Sequence, residues 1–123
     1  MHVKVLIIDN AKEDRIAIKD SLNHAGFNCE YTEAETGDIG LSKTKDNVPD
    51  IVILEVRLEG SDGFALCKQI KEISRSIKIL LVTKYNDAID HAKAENAGAN
   101  QHTVKTKSNK FLIASFTEII KQL

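Results

Sequence analysis

The chain has one proline, no tryptophan, two cysteines, four phenylalanines and two tyrosines in 123 residues. Cys29 and Cys67 are not in CxxC spacing, which excludes a disulfide framework or a zinc ribbon and reads as two small buried thiols in a reducing cytoplasm. Apolar runs stop at four to five residues, far short of the ~20 a membrane span needs. Lys4 and Val5-Leu6-Ile7-Ile8 lead straight into Asp9, which is not a signal peptide. The turn after that run, Asp9-Asn10-Ala11-Lys12, has no glycine to let backbone approach a phosphate, so nucleotide or flavin binding is a weak reading. Net charge is only −1, and the basic residues near the C-terminus (Lys105, Lys107, Lys110, Lys121) have no interleaved aromatics. Nucleic-acid binding by this domain is therefore not expected.

What is present is an ordinary globular composition, 42% hydrophobic and 28% charged. At this length the chain, residues 1–123, reads as one domain. Its charge is uneven: 7 basic and 13 acidic side chains in residues 1–66, against 10 and 5 in residues 67–123. The basic half is mostly a solvated face that could steer an acidic protein partner.

Five apolar runs read as strands: Lys4–Asp9, Phe27–Thr32, Asp50–Val56, Ile77–Thr83 and, weakly, Gln101–Val104. Helical spacing falls between them. Ile18, Leu22 and Ala25 precede a stop at Gly26, and Leu66, Ile70 and Ile73 follow Asp62-Gly63. Leu112, Phe116, Ile119 and Leu123 follow Ser108, read as an N-cap. Two helices look weak: about Gly37–Lys45, with Gly40 and Thr44 on its inward stripe, and about Asn86–Ala97, with only Ile89 large and apolar. Strict βα alternation predicts an α/β fold with a parallel five-stranded sheet between two helical layers. The expected architecture is a flavodoxin-like (βα)5 three-layer sandwich in strand order 2-1-3-4-5.

In that topology the C-terminal strand ends converge on one crevice, bringing together Asp9, Asn10, Glu55, Thr83 and Lys105. Two carboxylates, an amide, a hydroxyl and an ammonium fit an acidic cation or phosphate site. Glu55 ends the run Ile51-Val52-Ile53-Leu54, whose lack of polar residues marks a strand buried on both faces.

The motifs Ile7-Ile8-Asp9-Asn10, Ile51–Glu55 followed by Asp62-Gly63, Leu81-Val82-Thr83, Gly98-Ala99 and Val104-Lys105 resemble response-regulator receiver domains along the whole chain. That resemblance implies a Mg²⁺ position formed by Asp9, Asn10, Glu55 and the backbone carbonyl of Arg57. It implies a phosphoacceptor at the position of Glu55, switch and phosphate contacts at Thr83 and Lys105, and a switch aromatic at His102. The implied partners are a histidine kinase and an effector, met through the face of the fourth helix, fifth strand and last helix. A monomer or weak dimer is expected.

Four residues depart from the family pattern. Glu55 stands where the family has aspartate, which moves the carboxylate by roughly 1.5 Å. Asn10 stands for an acid, which weakens a site for a hard dication; the same residue with Glu13 also reads as a helix N-cap pair, and the two explanations are compatible. Lys84 follows Thr83 where a small residue is usual, either shielding the crevice or extending into solvent. Thr106 replaces a proline that the family holds in a cis peptide, so a trans bond and a rerouted loop are expected. His102 also reads as a plain edge-strand histidine.

The expectation is a pseudo-receiver that signals through protein contacts without conventional aspartate phosphorylation, with no organic cofactor and weak or absent Mg²⁺ binding. It is not expected to act as an enzyme. The alternative is a working phosphoacceptor that uses Glu55 or a weak Mg²⁺-dependent site.

Overall fold

The computed structural model describes residues 2–85 and 90–123. In chain order the elements are β1 (Val3–Ile8), α1 (Lys12–His24), β2 (Cys29–Ala34), α2 (Gly37–Asp46), β3 (Ile51–Glu55), β4 (Arg57–Leu58), β5 (Ser61–Asp62), α3 (Gly63–Ile73), β6 (Lys78–Thr83), α4 (His91–Ala97), β7 (Gln101–Val104) and α5 (Lys110–Ile120). Five of the strands form one parallel sheet in the order β2-β1-β3-β6-β7. Discounting the short β4-β5 hairpin, this is the expected 2-1-3-4-5 order. No helix among the described residues is long and apolar enough to cross a membrane.

The period-two alternation of the central strands explains the two helical layers. Leu6, Ile8, Val52, Leu54, Ile79 and Leu81 point to one side and pack with Leu66, Cys67 and Ile70 of α3 and Ala94 and Ala97 of α4. Val5, Ile7, Ile51, Ile53, Leu80 and Val82 point to the other, against Ile18 and Leu22 of α1 and Leu112, Phe116 and Ile119 of α5. A strand covered on both faces must be apolar at every position, and all five residues of β3 are buried, Glu55 included.

Local chemistry moves several boundaries. Phe27 does not enter β2, because its N–H closes α1 on the Leu22 carbonyl at 3.1 Å. Its ring packs edge-on against Phe116 instead, 5.0 Å between centroids. Ser108 is not the N-cap of α5; that position is Asn109, at φ 54°. The Asn109 amide donates to Ser21 Oγ at 3.1 Å, tying α5 to α1. Leu123 lies beyond α5 and is exposed. Ala11, not Asn10, is the N-cap of α1. The expected start of the fourth helix, Asn86 to Ile89, lies outside the described residues.

Gly40 and Thr44 turn out to be a packing device. A Cβ on Gly40 would lie 2.5 Å from Ile8 Cδ1, so glycine lets α2 approach the sheet closely. Thr44 is fully buried and its hydroxyl donates to the Gly40 carbonyl at 2.7 Å. Gly63 has the same role next to the site, since a Cβ there would lie 2.6 Å from the Glu55 carbonyl oxygen.

Candidate functional site

The strand ends do converge, and Lys105 is at the centre. Its Nζ lies 2.6 Å from Asp9 Oδ2, 2.8 Å from Glu55 Oε1 and 3.0 Å from Asp14 Oδ2. The Lys105, Asp9 and Glu55 side chains are only 6%, 4% and 8% exposed, so the charges meet where water screens little. Burial opposes the ammonium form of Lys105, but hydrogen bonds and attraction from Asp9 and Glu55 outweigh it and hold its pKa well above the ordinary lysine value. Burial likewise raises the Asp14 pKa, yet Lys105 and Lys84 together bring it below the usual carboxylate range.

Each position follows from the backbone. Lys105 leaves β7 with its N–H on the Thr83 carbonyl at 2.7 Å. Asp9 follows β1, its N–H on the Ala34 carbonyl at 3.0 Å. Arg15 donates to the Asp9 carbonyl at 2.6 Å and pairs with Glu33 at 2.9 Å, and Lys19 also reaches Glu33 at 2.8 Å. This brace fixes the start of α1 against β2, and so places Asp14 over the crevice.

The oxygens that would face a cation are already engaged. Asp9 Oδ1 accepts the Ala11 N–H at 3.0 Å and Oδ2 takes Lys105. Glu55 Oε2 accepts the Arg57 N–H at 2.9 Å while Oε1 takes Lys105. Asn10 joins two loops: its Nδ2 donates to the Glu35 carbonyl at 2.7 Å, and its Oδ1 accepts the Glu59 N–H at 2.7 Å. A cation bound here would compete with the Lys105 ammonium for the Asp9 and Glu55 oxygens.

Lys84 runs through solvent and adds positive charge at the rim of the crevice. Its Nζ pairs with Asp14 at 3.1 Å while the side chain stays half-exposed. The Thr83 hydroxyl accepts the Tyr85 N–H at 3.3 Å. The Arg57 guanidinium stacks 4.5 Å from the Tyr85 ring centre. The described peptide bonds are all trans, Lys105–Thr106 among them, and the Asn109 N–H turns back to the Thr106 carbonyl at 3.1 Å. His102 lies on edge strand β7, its Nε2 3.1 Å from His91 Nδ1.

Three features were missed in the sequence. Asp14 had a usable signal, as an acid in the first turn of the helix that follows Asp9. The β4-β5 hairpin that presents Glu59 to Asn10 has two-residue strands, too short to show periodicity. His91 meets His102 only through the fold.

This parallel sheet, with acids and a lysine at its C-terminal edge, defines a class, and comparison with known proteins agrees. The chain belongs to the response regulator receiver domain family, which it matches over residues 5–117. The transcriptional regulatory protein AfsQ1 of Streptomyces coelicolor is 30% identical over 118 residues, 96% of this chain and 51% of that protein. The chemotaxis protein CheY of Bacillus subtilis is 32% identical over 102 residues, 83% of this chain and 84% of CheY. A two-component response regulator from Clostridium difficile superposes with TM-score 0.82 at 27% identity, covering 98% of this chain and 97% of that one. The chain spans about half the length of AfsQ1 and of the Mycobacterium response regulators MprA.

Proposed function

We propose that this receiver domain is a pseudo-receiver: it signals in the cytoplasm through protein contacts and does not depend on conventional aspartate phosphorylation. The observation that carries the reading is the ion cluster in which the Lys105 ammonium bridges Glu55, Asp9 and Asp14. The longer glutamate side chain reaches the lysine directly, and the pair fills the space that an incoming phosphoryl group needs. Phosphoryl transfer rests on positioning and charge neutralisation, so a displaced carboxylate alone lowers the rate by about 100-fold. Glu55 could mimic a phosphorylated aspartate or lock one conformation. The direct Glu55–Lys105 contact supports the lock.

Mg²⁺ binding is weak or absent in this reading. Asn10 carries no charge and both polar ends of its amide hold loops, while a hard dication needs free anionic oxygens. The partner, a kinase or an effector, meets the face of α4, β7 and α5. Lys93, Lys107 and Lys110 lie on or beside these elements, so added salt weakens that contact. The domain itself is a monomer or weak dimer.

Intact mass after incubation with acetyl phosphate and Mg²⁺ tests the reading. No added phosphate is expected on the parent chain, and transient labelling on the Glu55→Asp, Asn10→Asp double variant. A parent chain that gains one phosphate and loses it on Glu55→Gln establishes the working phosphoacceptor instead. A sub-millimolar Mg²⁺ dissociation constant at this crevice would also overturn the proposal.

A further inference from the structure

We propose that His91 and His102 form a two-histidine site for a borderline divalent transition-metal ion, Zn²⁺ or Ni²⁺, that clamps α4 to β7. The facing nitrogens, His91 Nδ1 and His102 Nε2, are 3.1 Å apart, with ring centres at 4.4 Å and planes at 69°. Two imidazoles bound to one ion at about 2.0–2.1 Å hold their nitrogens roughly 2.9 Å apart at a right angle and roughly 3.3 Å apart at a tetrahedral angle. The observed spacing lies between these values, so the two nitrogens are already close enough to share one ion. Only the rings must turn, so that both lone pairs aim at one point. His91 is exposed and free to do so.

The protonation states are compatible with binding. Partial burial, then the neighbouring His91, lowers the pKa of His102, which favours the neutral ring that a metal needs. In the present contact one hydrogen lies between the inner nitrogens. On binding it leaves, an outer nitrogen takes up another from water, and the neutral pair releases no net proton. Two nitrogen–metal bonds replace two metal–water bonds and one hydrogen bond, the displaced waters leave to solvent, and no oxidation occurs.

Among the described residues no third protein ligand is assembled nearby. Groups of three or more metal-binding side chains do not occur among the described residues. The Asp90 carboxylate is engaged with the Lys93 N–H at 3.0 Å. Water therefore completes the coordination, and affinity is modest, with a dissociation constant on the order of tens of micromolar. The inference rests on the histidine geometry and is independent of whether Glu55 accepts phosphate. Its consequence lies at the same face, because the ion fixes His102 and the β7 edge to α4.

Calorimetric titration of the full chain with zinc chloride at about pH 7.5 tests it. One ion per chain is expected, with His91→Gln and His102→Gln each weakening binding by at least about 10-fold. His24→Gln, on the outer side of α1, should change nothing. Histidine ¹⁵N spectra of the unmodified chain give a second readout that needs no variant to fold, with the His91 and His102 nitrogens shifting on zinc addition. A dissociation constant above about 1 mM, binding that survives both substitutions, or shifts confined to His2, His24 or the Asp9–Glu55 crevice would overturn the proposal.

Discussion

Replacing Lys105 with methionine removes the ammonium that contacts three carboxylates while keeping most of the stem's volume. Asp9 and Glu55 then sit together as buried anions, since their side chains are 4% and 8% exposed. Breaking a buried pair from one side destabilises by about 3–5 kcal/mol, because the remaining charge is left uncompensated. A domain of this length is stable by roughly 6–18 kcal/mol, so the variant stays folded with its midpoint lowered by roughly 10–20 °C. The loss should depend on pH in a defined direction. As pH falls from about 7 to about 4 the stranded carboxylates take up protons, and the gap between parent and variant narrows. Because the folded pKa of Lys105 is raised, its contribution in the parent is fully present below the unfolded lysine value and is lost as pH rises through the folded one. A dication offers the same relief as a proton, so Mg²⁺ should stabilise Lys105→Met more than the parent. Urea melts at both pH values, with and without Mg²⁺, make the measurement. A loss below about 1 kcal/mol, the worth of an exposed pair, or an equal loss at both pH values, would refute the reasoning.

Asn10→Asp removes the donor to the Glu35 carbonyl, so urea melts of the metal-free variant should show a loss of about 1–2 kcal/mol. Its Mg²⁺ affinity, read by titration, should nevertheless rise, since a hard anionic ligand returns. Gly40→Ala should lose about 1–3 kcal/mol through the clash with Ile8, and adding Ile8→Ala should make the double variant more stable than the separate losses sum to. At acid pH, Glu33 is held down by Lys19 and Arg15, and Asp14 by Lys105 and Lys84 against burial. Their contribution is present above the unfolded carboxylate values and lost as pH falls through the folded ones, so stability should drop below about pH 4. Glu33→Gln should make that drop shallower in denaturant melts across this range.

The sequence by itself determined the layers and the strand order. Short β-branched apolar runs such as Ile51–Leu54, bounded by Pro49 and Gly60, read as strands covered on both faces, and helical spacing between them leaves a parallel sheet with right-handed crossovers. It also determined that Asp9, Glu55, Thr83 and Lys105 lie at the same edge, because strand ends in such a sheet share one side. Tertiary structure decided which of them touch. Asp14 joins Lys105 because the Arg15–Glu33 brace sets where α1 begins, and that pairing spans 18 residues. Asn10 bridges Glu35 and Glu59 instead of capping α1, because a hairpin too short for any periodicity brings an N–H to its oxygen. Gly40 reads locally as a helix breaker, but Ile8, across α2 on the sheet, makes it the residue that fits. His91 and His102 are eleven positions apart with no repeat linking them. Local propensity and periodicity act over a few residues and set elements and faces, whereas these contacts depend on distances between elements that only the packed chain defines.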